Sequence, residues 1–143
     1  MPVESASIPI VDTHVHVVSA ELHQYPRSTA PTVSGSIPLW WEAAHPVEVL
    51  LGEMNGAQVD HAVVVQAFGP YGFDNRCAVD STDSAPARFA SVVAVDPASP
   101  GAAQELTGLV STRRAAGLRL PLRPGIEPAI GGLVAVADPK IEP

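Results

Sequence analysis

Apolar runs alternate with stretches of helical spacing along this chain, and that alternation constrains its fold more than any other feature. Three runs rich in β-branched residues extend over about Ile8 to Val17, His61 to Gln66 and Phe89 to Val95, with a short fourth in Gly117-Leu118-Arg119-Leu120. His61-Ala62-Val63-Val64-Val65-Gln66 is apolar on both faces, the pattern of a strand covered by helices on both sides. Between the runs, Val47, Leu50, Leu51 and Met54 recur at helical spacing after Pro46 and stop at Asn55-Gly56. Ser99 and Pro100 open a further helix, with Ala103, Leu106, Leu109 and Val110 as its expected buried stripe and Arg113 and Arg114 at its negative end. A weaker helix is expected near Arg76 to Asp80, capped by Asp74 or Asn75, because the Asp80-Ser81-Thr82-Asp83-Ser84 run is poor in helix formers. Gly69 to Asn75 reads as a turn-rich loop. Strands and helices in this order predict an α/β fold of parallel (β/α) units joined by right-handed crossovers.

A chain of 143 residues, 46% hydrophobic and 16% charged, suits one domain with a buried sheet. The formal net charge of -7 and the scattered basic residues argue against a nucleic-acid partner, which needs a clustered basic face. Cys77 has no second cysteine to pair with, and the N-terminus lacks the basic start and apolar stretch of a secretory signal, so a reducing cytoplasm is expected. No apolar run approaches the ~20 residues that span a bilayer, so no membrane partner is expected. The long irregular segment from Ser19 to His45 carries Trp40-Trp41, a pair suited either to lining a pocket or to packing on a neighbouring helix.

The chemistry concentrates at the end of the first strand, in Asp12-Thr13-His14-Val15-His16. Strict alternation puts Asp12, His14 and His16 on one face and Val11, Thr13, Val15 and Val17 on the other. Imidazoles two residues apart start roughly 7 Å apart along a strand, and their nitrogens can lean together onto one divalent ion such as zinc. A pair of histidines hydrogen-bonded to backbone or water is the alternative. In parallel sheets, ligand groups gather at the carboxyl ends of the strands, where His14, His16, Gln66, Asp96 and Arg119 all fall. The guanidinium of Arg119 matches a substrate carboxylate, with an ion pair to Asp96 as the competing use, and Gln66 is a second candidate for binding substrate oxygens. His23 and His45 lie in the long loop and His61 at the start of a strand, so none of the three is expected at the site.

Ile10-Val11-Asp12-Thr13-His14-Val15-His16, Tyr25-Pro26, Val59 to Gln66, Tyr71-Gly72-Phe73-Asp74-Asn75-Arg76, Arg88 to Pro97 and Ala116 to Leu120 follow a recognisable order. In that order the chain resembles the amidohydrolase-related family of metal-dependent hydrolases, and within it the lactonase-like branch of the 2-pyrone-4,6-dicarboxylate hydrolase and L-fuconolactonase type. The resemblance runs from about Ile8 to Leu120. It implies a TIM-barrel-type (β/α)8 fold with His14 and His16 as the first-strand site residues, and in many members a divalent metal. In the family pattern, histidines from later strands and an aspartate from the eighth complete the site. Residues 1–120 thus correspond to an N-terminal half, about the first four strands, since a full barrel takes ~250 residues. Residues 121–143 form an atypical Pro-rich tail whose one apolar patch, Ala129 to Ala137, suits either a strand or part of a helix, as expected of a truncated or frame-shifted copy or of an evolved half-barrel.

The resemblance implies hydrolysis of a lactone or other small carboxylated cyclic substrate, with His14 and His16 polarising the carbonyl, directly or through zinc, and Arg119 and Gln66 binding substrate. Carboxy-lyases of the same wider family, and a non-catalytic remnant or assembly module, are the competing readings. Any metal is expected to be held weakly or not at all by this chain alone, because only His14 and His16 are assured as ligands. Four units leave two open sheet edges and an uncovered inner face, which predicts self-association.

Overall fold

A computed structural model describes residues 8–28 and 43–120. Four strands, β1 (Val11–Val15), β2 (His61–Val65), β3 (Phe89–Val93) and β4 (Gly117–Leu118), form one sheet in the order β1-β2-β3-β4, every neighbouring pair parallel. The connections contain α1 (Val47–Gly56), α2 (Phe68–Tyr71), α3 (Arg76–Ser84) and α4 (Ala102–Arg113). Parallel strands in chain order, each joined to the next through helix, are the expected (β/α) architecture. Each strand is shorter than its apolar run, because pairing ends before the run does. The Trp40-Trp41 pair and the tail at 121–143 lie outside the described residues.

One side of the sheet is covered. Ala62, Val64 and Phe89 pack there against Val47, Leu50 and Met54 of α1 and Cys77 and Ala78 of α3. Farther along, Val79, Val93 and Ala115 form a second cluster, with Leu106 and Leu109 of α4 against it. No residue of α4 is buried, and Val110, expected in its apolar stripe, is 52% exposed. Among the described residues the sheet has no strand beyond β4, and half of that stripe meets nothing.

The expected weak helix runs the full length of α3. Its hydroxyls explain why: Ser81 Oγ donates to Cys77 O, Thr82 Oγ1 to Ala78 O and Ser84 Oγ to Ser81 O, while Cys77, Ala78 and Val79 are buried beneath. Side chains that usually compete with a helix are bonded onto its own carbonyls, and tertiary burial outweighs the propensity deficit. Asn75 occupies the cap position without a side-chain capping bond; Asp74 Oδ1 instead accepts the Arg76 N–H. The short helix α2 lies in the segment read as loop, held by Tyr71 N–H to Ala67 O and Gly72 N–H to Phe68 O. Among the described residues, no helix is long and apolar enough to cross a membrane.

Candidate functional site

A register slip in β1 builds the histidine pair. Asp12 stands opposite Ala62 and Val15 opposite Val64, so three steps on β1 match two on β2 and the ladder bulges between them. Ala62 and Val64 share the helix-covered face, as does Val15, which packs on the same core. His14 and His16 therefore project from the opposite, open face. Asp12 falls on the Val15 side of the slip, which corrects the expectation that it shares a face with both histidines. Its Oδ1 accepts the N–H of His14, pinning the bulge.

On the open face, the two Nε2 atoms approach to 3.3 Å, with the rings nearly perpendicular. Nitrogen ligands at ~2.0–2.1 Å from a tetrahedral zinc lie about 3.3–3.4 Å apart, so the pair has the spacing of one edge of such a site. His16 Nδ1 donates to Val65 O at 2.8 Å. That bond puts the proton of the neutral ring on Nδ1 and leaves a lone pair on Nε2, the arrangement by which a backbone carbonyl orients a metal-ligating histidine. Burial pushes the His16 pKa below the ordinary histidine value; the Val65 bond opposes this, and the charges of His14 and Arg119 add to it. The ring is thus kept neutral and available as a ligand. The same spacing also serves an N–H···N bond donated by His14 to His16. The residues present fit two positions of a zinc site; among the described residues, no group of three or more His, Cys, Asp or Glu side chains is placed to hold an ion.

Arg119 joins this pair from the far end of the sheet. Its backbone N–H continues the ladder to Val93 O, and its Nη1 donates to Gln66 O at 2.9 Å. The successive carbonyls Val65 O and Gln66 O, at and just past the end of β2, thereby hold an imidazole from just beyond β1 and a guanidinium from beyond β4. Sequence separation of 53 residues between Arg119 and Gln66 hides this arrangement from any local pattern.

The Gln66 side chain does something else. It is fully buried, and its Nε2 donates to Gly72 O and Asp74 O, with Oε1 left without a partner. It anchors the loop after β2 from beneath, and only its backbone carbonyl reaches the group that Arg119 belongs to. Asn75, unassigned beyond a cap, proves to be a second anchor: its Oδ1 accepts Ala94 N–H and its Nδ2 donates to Ala94 O and Phe73 O. An amide side chain here substitutes for a strand at the end of β3. The Gly-x-Asp-Asn sequence was visible, but not the strand end it would meet.

Other candidates stay apart. His45 pairs with Glu53 and bridges to Val18, and His61 begins β2 at the opposite end of the sheet. A cavity of about 400 Å³ lies behind β1, lined by Ser19, Tyr25, Glu48, Cys77 and Asp80 among others, and neither His14 nor His16 borders it. Burial raises the Cys77 thiol pKa, so this cysteine is a packing residue rather than a nucleophile.

Four parallel strands joined through helices, with imidazoles and a guanidinium at their carboxyl ends, form part of a TIM-barrel-type fold. Solved structures show the same. A probable 2-pyrone-4,6-dicarboxylic acid hydrolase of Acinetobacter baumannii, with citric acid bound, superposes with a TM-score of 0.62 at 22% identity, over 80% of this chain and 38% of that one. A Pseudomonas putida protein provisionally assigned the same activity gives a TM-score of 0.60 at 23% identity, over 85% of this chain and 40% of that one. An Agrobacterium tumefaciens protein, in its apo form, gives 0.58 at 18% identity, over 91% and 41%. This chain thus spans about two fifths of the length of the structures it matches. No family model and no curated protein matches it.

Proposed function

We propose that this chain carries the electrophile and anion-binding side of a hydrolase site for a small cyclic ester bearing a carboxylate. The observation that carries the reading is the convergence of His14 Nε2 and His16 Nε2 at 3.3 Å, with Arg119 bonded to the same strand end as His16. A divalent metal bound there would polarise the lactone carbonyl. His14 and His16 would hold it, the Val65 carbonyl fixing the donor tautomer of His16. Arg119, with its position set by Gln66 O, would take the substrate carboxylate through paired N–H bonds. The 2-pyrone-4,6-dicarboxylic acid named for two of the structural relatives has both features, a cyclic ester and carboxylates.

Binding tests this reading on the chain itself. Zinc-loaded protein is titrated with 2-pyrone-4,6-dicarboxylate by calorimetry. Saturable binding is expected, weakened about tenfold or more in Arg119→Ala, in keeping with loss of a charge-assisted pair. Equal affinity in the native protein, Arg119→Ala and His14→Ala/His16→Ala would refute it.

A further inference from the structure

The exposed apolar residues are not scattered. Ile8, Ile10 and Val11 lead into or belong to β1 at one edge of the sheet, and Val110, Leu118 and Leu120 lie on α4 or around β4 at the other. Among the described residues, these six dominate the exposed large hydrophobics, with only Leu22 and Val49 elsewhere. Among the described residues, both terminal strands have one hydrogen-bonded neighbour, so each has an outer edge that no strand pairs. Between the two edges, the open face carries the half-buried Val63, Ala90 and Val92.

Any cover has to satisfy both edges with parallel strands and supply an apolar inner face. A second copy of this chain has the required parts: a β1 edge for the open β4, a β4 edge for the open β1, and the same small apolar inner face. Charge agrees, with the exposed Asp12 on one edge and the exposed Arg114 near the other.

We propose that two copies close about a two-fold axis parallel to the strands, β4 of each adding in parallel to β1 of the other, so that eight strands form one barrel. Each edge contact is between unlike surfaces, yet the two contacts together close the ring, which ends assembly at two. All strands then run the same way, and both His14–His16 pairs and both Arg119 side chains stand at one shared mouth. The inference rests on the fold and not on the hydrolase reading.

The test uses the full chain. Sedimentation equilibrium at micromolar concentration is expected to give twice the chain mass, and Leu118→Lys, which places a charge at the open edge, to raise the dimer dissociation constant about tenfold or more. A short bis-maleimide cross-linker reports the geometry, because Cys77 is buried and only introduced cysteines react. The Ile10→Cys/Leu118→Cys double variant is expected to yield covalent dimer and nothing larger, while either single variant stays uncross-linked. Three results would overturn the proposal: a native monomer, a ladder of covalent multimers from the double variant, or dimer from Ile10→Cys alone, which would mean like edges meeting. Far-UV circular dichroism shows that each variant has folded, and the native sedimentation result decides the matter even if a variant does not. A monomer would leave zinc and pyrone binding by single chains untouched.

Discussion

A single carbonyl, Val65 O, decides what His16 can do. By accepting from Nδ1 it leaves the Nε2 lone pair facing His14, and that assignment has a direct consequence. In the metal-free protein, imidazole nitrogen shifts should show His16 as the neutral Nδ1–H form; the Nε2–H form would contradict the geometry. Charge acts differently at Asp74, whose carboxyl is held below the usual range first by the Arg76 guanidinium, against a smaller opposing effect of burial. With a folded value below the unfolded one, the stabilisation is present above the unfolded carboxylate range and is lost as pH falls through the folded value. The pair is partly exposed, so the effect is small. Urea unfolding of Asp74→Asn against the native protein should therefore show a difference near neutral pH that closes on acidification; a difference that widens would reverse the sign and refute the assignment.

At the scale of elements, most of what was legible came from periodicity. The alternation of β-branched runs with helical spacing is local, and it located all four strands and three of the helices. What it missed depends on partners distant in sequence. The β1 bulge is defined by register with β2, the exposure of α4 by the lack, among the described residues, of a neighbour beyond β4, and the role of Asn75 by the end of β3, nineteen residues away. That last bond is testable. Asn75 is buried, and both its amide atoms serve Ala94, so Asn75→Ala strands two backbone groups in the interior. Unfolding should be easier by about 2–4 kcal/mol, the cost of leaving two such groups unpaired. A loss below ~0.5 kcal/mol, the level of an ordinary surface substitution, would show that water or relaxation replaces the amide.

At the scale of the molecule, four parallel strands bring His14, His16 and Arg119 together at their carboxyl ends. His14 and His16 were readable because two imidazoles at strand spacing are an uncommon local pattern, and Arg119 because it ends a run. Their junction was not, since it runs through two backbone carbonyls, Val65 O and Gln66 O, that no side-chain pattern encodes. Hydrolysis needs a base for water as well as an electrophile, each commonly worth orders of magnitude in rate. Asp12, the nearest carboxylate in sequence, falls on the face opposite the histidines, with its Oδ1 accepting the N–H of His14. The 143-residue chain alone is therefore expected to open pyrone or sugar lactones no faster than its His14→Ala/His16→Ala variant; steady turnover that vanishes with His14 would mean that a base has been overlooked. The most direct measurement is a zinc titration followed through the imidazole nitrogen signals of all five histidines. His14 and His16 Nε2 should shift together, in weak and reversible binding, while His16 Nδ1 keeps its proton. Zinc that moves His23, His45 or His61 first, or leaves the His14–His16 pair unmoved, would contradict the site.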